Sequence, residues 1–148
     1  MQSKASPKVV LDSVVLVSAF LTKGLASEVL ALCATSSELY ISEEILQEVR
    51  RVLLEKEHIR SRYKYSDLDV EAFISMLQEI FIVVGPLPKL QVVERDPKDD
   101  MIIACALLTK ADYIVSRDMH LLDLREYRGI QIIPPEDFVH YLRKNGKP

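Results

Sequence analysis

Long hydrophobic runs are missing from this chain. None approaches the roughly 18 to 20 residues that a membrane-crossing helix needs, and the opening MQSKASPK is too polar and too short to read as a secretory leader. Cysteine is scarce. Cys33 and Cys105 each fall within an apolar helical pattern, which argues against a disulfide framework and for a reducing, cytoplasmic setting. Net charge is lacking too: 19 Lys and Arg against 22 Asp and Glu leave −3, so composition alone gives no push towards nucleic acid. No internal repeat, low-complexity tract or compositional break marks a second domain.

What remains is the make-up of an ordinary soluble globule. A chain of 148 residues, 49% apolar and 28% charged, is one domain's worth and can bury a sizeable core. Local charge is less even than the total. Residues 50–65, RRVLLEKEHIRSRYKY, set six Lys or Arg against two Glu. Such a cluster can meet phosphates or an acidic partner, or can simply be a solvated helix end and its loop.

Short runs rich in Val and Ile alternate with longer helical patterns. The pattern predicts strands over 8–11, 39–41, FIVVG, YIVS and GIQIIP. Helices are expected directly after the first strand, over 25–36 beyond the TKG break, from the Ser42 cap to about 55, and from Ser66 or Asp67 to about 80. Asp99 opens a further apolar helix, MHLLDL forms a helical turn, and PEDFVHYLRK closes as a helix. Strands of three to six residues alternating with helices predict an α/β fold, with a parallel sheet covered on both faces.

In VVLDSVVLVSAF, Asp12 is a single carboxylate within an otherwise apolar run broken only by two serines. A charge buried there is expensive unless it is protonated, paired or given a metal. Asp12 ends the first strand, and Asp118 stands just past YIVS, also at a strand's carboxyl end. Ligand sites in open parallel sheets form at that edge. Either aspartate alone is equally well explained as a helix cap; as a pair they say more. Asp96, Asp99 and Asp100 compete to cap the next helix, and a carboxylate one step into it projects towards the same edge. On the helix after Ser42, Glu48 borders the apolar stripe of Ile45, Leu46, Val49, Val52 and Leu53. It either reaches into a cleft or pairs with Arg51 at i,i+3.

These positions line up with a known pattern. DSVVLVSA, ILQEVRRVL, RDPKDDMIIACAL, ADYIVSRDMHLLDL and YRGIQIIPPEDFV, together spanning about residues 9–142, resemble the PIN-domain family. The likeness is strongest to its toxin-type (VapC-like) branch, found in toxin–antitoxin pairs. The resemblance implies a three-layer α/β/α sandwich with strand order 3-2-1-4-5, which sets the first and fourth strands side by side. It also implies an acidic quartet of Asp12, Glu48, Asp99 and Asp118, with Asp99 taken over Asp100 by alignment to DMIIACAL.

Such a quartet, with hard oxygen donors and no His or Cys set, implies Mg²⁺ or Mn²⁺. The implied function is hydrolysis of RNA phosphodiester bonds by a metal-dependent endoribonuclease, the toxin of a pair inhibited by a cognate antitoxin. Asp12 and Asp118 would be its most direct ligands, with Asp99 and Glu48 holding the ion, its waters or a second ion. Ser13 and Ser116, in the family's Thr/Ser positions, would orient a carboxylate or contact substrate, or only satisfy nearby backbone. Arg117 is a candidate for substrate phosphate, or for a surface salt bridge. Family members are often homodimers.

Two positions depart from the family pattern. Val14 replaces the usual Asn two residues after the first Asp, and His120 stands where many members carry a further Asp. Val14 therefore keeps an alternative open: a catalytically weak or silent PIN-like scaffold that binds RNA or a protein. A haloacid-dehalogenase-like phosphatase would need a second Asp at Val14, and a receiver-type domain an acidic pair before the Asp12 strand; both lack their residues.

Overall fold

The computed structural model describes residues 6–89 and 97–145. Strand β1 (Lys8–Leu11) runs into helix α1 (Ser13–Leu21) with Asp12 between them, and after a bend of 108° the chain continues as α2 (Leu25–Ser36). Strand β2 (Glu38–Ser42) ends in the residue that starts α3 (Glu43–Glu55): the Ser42 hydroxyl accepts the Ile45 N–H at 3.0 Å, satisfying a backbone donor that the first helical turn cannot. A short helix α4 (Glu57–Arg62) leads to α5 (Asp67–Ile80), where Ser66 and Asp69 exchange side-chain and backbone hydrogen bonds in a capping box. Then come β3 (Ile82–Val84), α6 (Pro97–Thr109), β4 (Tyr113–Val115), α7 (Met119–Leu122), β5 (Glu126–Tyr127), β6 (Ile130–Ile133) and α8 (Pro135–Asn145).

The strands form one sheet in the order β3-β2-β1-β4-β6-β5. Every neighbouring pair is parallel except β5 with β6. In β1, the successive residues Val9, Val10 and Leu11 are all buried, so apolar side chains leave both faces of the sheet and both faces are covered by helices. The same core takes in Val49 and Leu53 of α3, Leu77 of α5, Ile102 and Ile103 of α6 and Phe138 of α8.

The parallel strands follow the expected 3-2-1-4-5 order, with β6 in fifth place. The correction is an added antiparallel edge strand, β5, which makes a hairpin with β6 through Arg128 and Gly129. Both turn residues have positive φ, 50° and 88°, the geometry that suits the twist of a two-residue hairpin. Glycine adopts it freely; an arginine there is a weak sequence signal, and a two-residue strand gives no alternation to read.

Helix α3 ends at Glu55, as expected, but the short helix α4 that follows it was not expected, and one helix boundary differs. Helix α6 starts at Pro97 rather than Asp99, consistent with a proline in a first turn where its missing N–H is no loss. Asp96 and most of the preceding loop lie outside the described residues. Much of the basic cluster at 50–65 is engaged within the fold. Arg50 pairs with Glu71 at 2.6 Å, and Arg60 pairs with Asp67 at 2.7 Å while lying over the Tyr65 ring. Among the described residues, no single helix is long and apolar enough to cross a membrane.

Candidate metal centre

The site forms at the carboxyl ends of β1 and β4. Leu11 pairs in register with Val115, and the Asp12 N–H continues that ladder by donating to the Val115 carbonyl at 3.0 Å. The register therefore sets Asp12 beside the segment 116–118. Only 3% of Asp12 is exposed. Its Oδ2 accepts the Ser116 hydroxyl at 2.6 Å, and the Ser13 hydroxyl lies at 3.4 Å from Oδ1. Asp12 occupies the position before α1, and its carboxylate lines the site. Burial pushes its pKa above the usual carboxylate value, and the Asp118 charge adds to that; the Ser116 hydroxyl and the N–H groups of Val14 and Ser13 oppose it without prevailing.

Ser116 is fully buried, and its oxygen also accepts the Asp118 N–H at 2.9 Å. Asp118 caps the short α7, its Oδ1 accepting the His120 N–H at 2.8 Å. Asp99 arrives from the first turn of α6, a helix packed on β1, β2 and β4, and is 3% exposed. Glu48 arrives from α3 and is gripped by two cations, Arg51 at 3.0 Å and Lys98 at 3.1 Å. Burial alone would raise the Glu48 pKa, but the hydrogen bonds and charges of Arg51 and Lys98 outweigh it and the net direction is down. Both sequence readings of Glu48 hold together, since it pairs with Arg51 and also faces a cleft.

That cleft, of about 280 Å³, is lined by Asp12, Glu48, Asp99 and Asp118, together with Ser13, Val14 and Lys98. Val14 is 53% exposed and offers the cleft an apolar surface where an amide was expected from the family pattern. Arg117 is directed instead to Glu136 at 3.3 Å, an exposed pair that contributes little to stability. Ligand atoms of Asp99 and Asp118, which line the cleft, and of His120 lie within 4.8 Å of one another, a group able to hold a metal ion. Sequence reasoning passed over His120 in this role. The available signal was its spacing: two residues after a capping Asp, the chain turns back on the carboxylate that caps it.

The donor set suits a divalent cation. Carboxylate oxygens dominate, two of the acids are almost wholly buried, and burial together with the Asp118 charge disfavours the ionisation of Asp12 until positive charge is supplied. Residues 8–120 match the family model for the PIN domain. The match ends at His120, so the final hairpin and α8 lie beyond it. No curated protein matches the chain.

Proposed function

This chain belongs to the PIN-domain family, a nuclease-type fold that typically binds divalent metal, and from that premise we propose that it is a ribonuclease dependent on Mg²⁺ or Mn²⁺ and the toxin of a toxin–antitoxin pair. The observation that carries the proposal is the convergence of Asp12, Glu48, Asp99 and Asp118, from four separate parts of the chain, on one cleft. A bound divalent ion would ready a water for attack on an RNA phosphodiester and neutralise charge on the scissile phosphate.

The chain's own residues hold and aim. Asp12 and Asp118 are the most direct ligands, with Asp99 beside them. Ser116 orients Asp12 by donating to it and Asp118 by accepting its N–H. Glu48, kept ionised by Arg51 and Lys98, lines the same cleft. A cognate antitoxin, a homodimeric state and a cytoplasmic location belong to the same proposal. The last is supported by two buried free thiols whose pKa values are pushed up to about 12, chiefly by burial, which keeps them protonated and unreactive.

The test is cleavage of structured and unstructured RNA with Mg²⁺ or Mn²⁺, with EDTA, and with Asp12→Asn and Asp118→Asn. Loss of cleavage in EDTA and in both variants is expected; activity indifferent to all three overturns the proposal. A second reading is favoured by Val14 on the cleft surface and by the engagement of Glu48 with two cations. In that reading the protein is a catalytically weak or silent scaffold for RNA or a protein partner, and it predicts metal binding with no cleavage of any RNA.

A further inference from the structure

The group of Asp99, Asp118 and His120 contains an atom that an acidic quartet does not supply, an imidazole nitrogen. We propose that His120 is a direct ligand of the metal ion and biases the site towards first-row transition ions over Mg²⁺. The proposal rests on the metal centre described above and adds to it both a ligand and a selectivity.

Geometry supports the ligand. Donors bound about 2.1 Å from one ion stand no more than about 4.2 Å apart. His120 Nδ1 is 4.0 Å from Asp118 Oδ1, and the ligand atoms of the group as a whole lie within 4.8 Å of one another. Closing around an ion therefore asks for movements of less than about an ångström, from a side chain half exposed and able to make them. The backbone beneath it is fixed: the His120 N–H is bonded to Asp118 Oδ1, and the Asp118 N–H to Ser116. The imidazole is thus tethered to the very carboxylate with which it would share the ion, leaving its two side-chain torsions to adjust.

Chemistry supports the selectivity. Mg²⁺ prefers oxygen donors and retains its waters, whereas imidazole nitrogen suits Fe²⁺, Co²⁺, Ni²⁺ and Zn²⁺. Exchanging one oxygen donor for nitrogen in an otherwise carboxylate set raises affinity for the later ions without helping Mg²⁺.

The whole chain would be titrated calorimetrically with Co²⁺ and separately with Mg²⁺, as wild type, His120→Ala, His120→Asp and Asp118→Asn, with thermal melts confirming that each variant folds. Proton NMR of the Co²⁺ form would record contact-shifted imidazole resonances. His120→Ala is expected to weaken Co²⁺ binding by about tenfold or more while Mg²⁺ binding changes by less than about threefold. His120→Asp is expected to move the preference back to Mg²⁺, and the shifted imidazole resonance should be present in wild type and absent from His120→Ala. Unchanged affinities in His120→Ala, with binding abolished by Asp118→Asn, would overturn the role of His120 and leave the metal centre standing. Binding of neither ion by the wild type would overturn both.

Discussion

The Ser116 hydroxyl donates to Asp12 Oδ2 at 2.6 Å across a sequence separation of 104 residues, and the same oxygen accepts the Asp118 N–H at 2.9 Å. One buried hydroxyl therefore fixes the orientation of a carboxylate just beyond β1 and the backbone carrying a second carboxylate beyond β4. An outer partner of this kind sets ligand direction without touching the ion.

Replacing Ser116 with Ala removes the donor and leaves a buried carboxylate oxygen without it. The expected cost is about 1–3 kcal/mol of stability, and the affinity for a divalent ion should fall by roughly 10- to 100-fold, the range for loss of an outer-shell partner. Urea unfolding and metal titration measure the two effects separately. A Ser116→Ala protein with wild-type metal affinity would show that Asp12 needs no such anchor.

Asp12 has a native pKa raised above its unfolded value, chiefly by burial. The stability associated with its protonated form is fully present below the unfolded pKa and is lost as pH rises through the native one. In the absence of metal, wild-type protein should therefore lose stability as pH climbs from the ordinary carboxylate range towards neutrality. Asp12→Asn should flatten that limb, because an amide oxygen can still accept from Ser116 and carries no charge to desolvate. Added Mn²⁺ should stabilise wild type by linkage and leave the variant nearly unmoved. Melting temperatures recorded against pH, with and without Mn²⁺, check both statements.

Glu48 titrates in the opposite sense. Burial works against its ionised form, but Arg51 and Lys98 outweigh burial and hold its native pKa below the unfolded value. The stability from these pairings is present above the unfolded pKa and lost as pH falls through the native one. Between about pH 5 and pH 3, Glu48→Gln should consequently lose less stability than wild type. Urea midpoints measured across that interval decide it, and parallel curves for the two proteins would contradict the electrostatic account.

Val14 tests whether the cleft lacks only an amide. It is exposed and lies in the first turn of α1, so Val14→Asn should alter stability by no more than about 0.5 kcal/mol. If the cleft is a working nuclease site, the variant should cleave RNA faster than wild type at the same Mn²⁺ concentration, as read from initial rates. A slower Val14→Asn variant would show that the apolar side chain is itself suited to the substrate.

The legible parts of this protein were those decided within a few residues along the chain. Ser42 and Ser66 could be read as caps because a cap is a hydrogen bond to a backbone N–H three residues away. The runs that became β1 and β4 stood out because strands buried on both faces are continuously apolar. Helix α4 was not legible: EHIRSR contains no buried residue, so no apolar stripe marks it. Nor was β5, which is two residues long and turns through an arginine at positive φ.

The sequence by itself determined the order of the elements other than α4 and β5, the α/β class and the placing of Asp12 and Asp118 at strand ends, since these follow from local periodicity and short-range capping. Only the tertiary structure decided that Ser116 points at Asp12, that Lys98 and Arg51 close on Glu48, and that Arg117 turns to Glu136. It also decided that His120 folds back beside Asp99 and Asp118. Apart from the local Glu48–Arg51 and Asp118–His120 pairs, those contacts join residues distant in sequence or on different elements. Sheet register and helix packing bring such partners together, and neither is encoded in the few residues around any one of them.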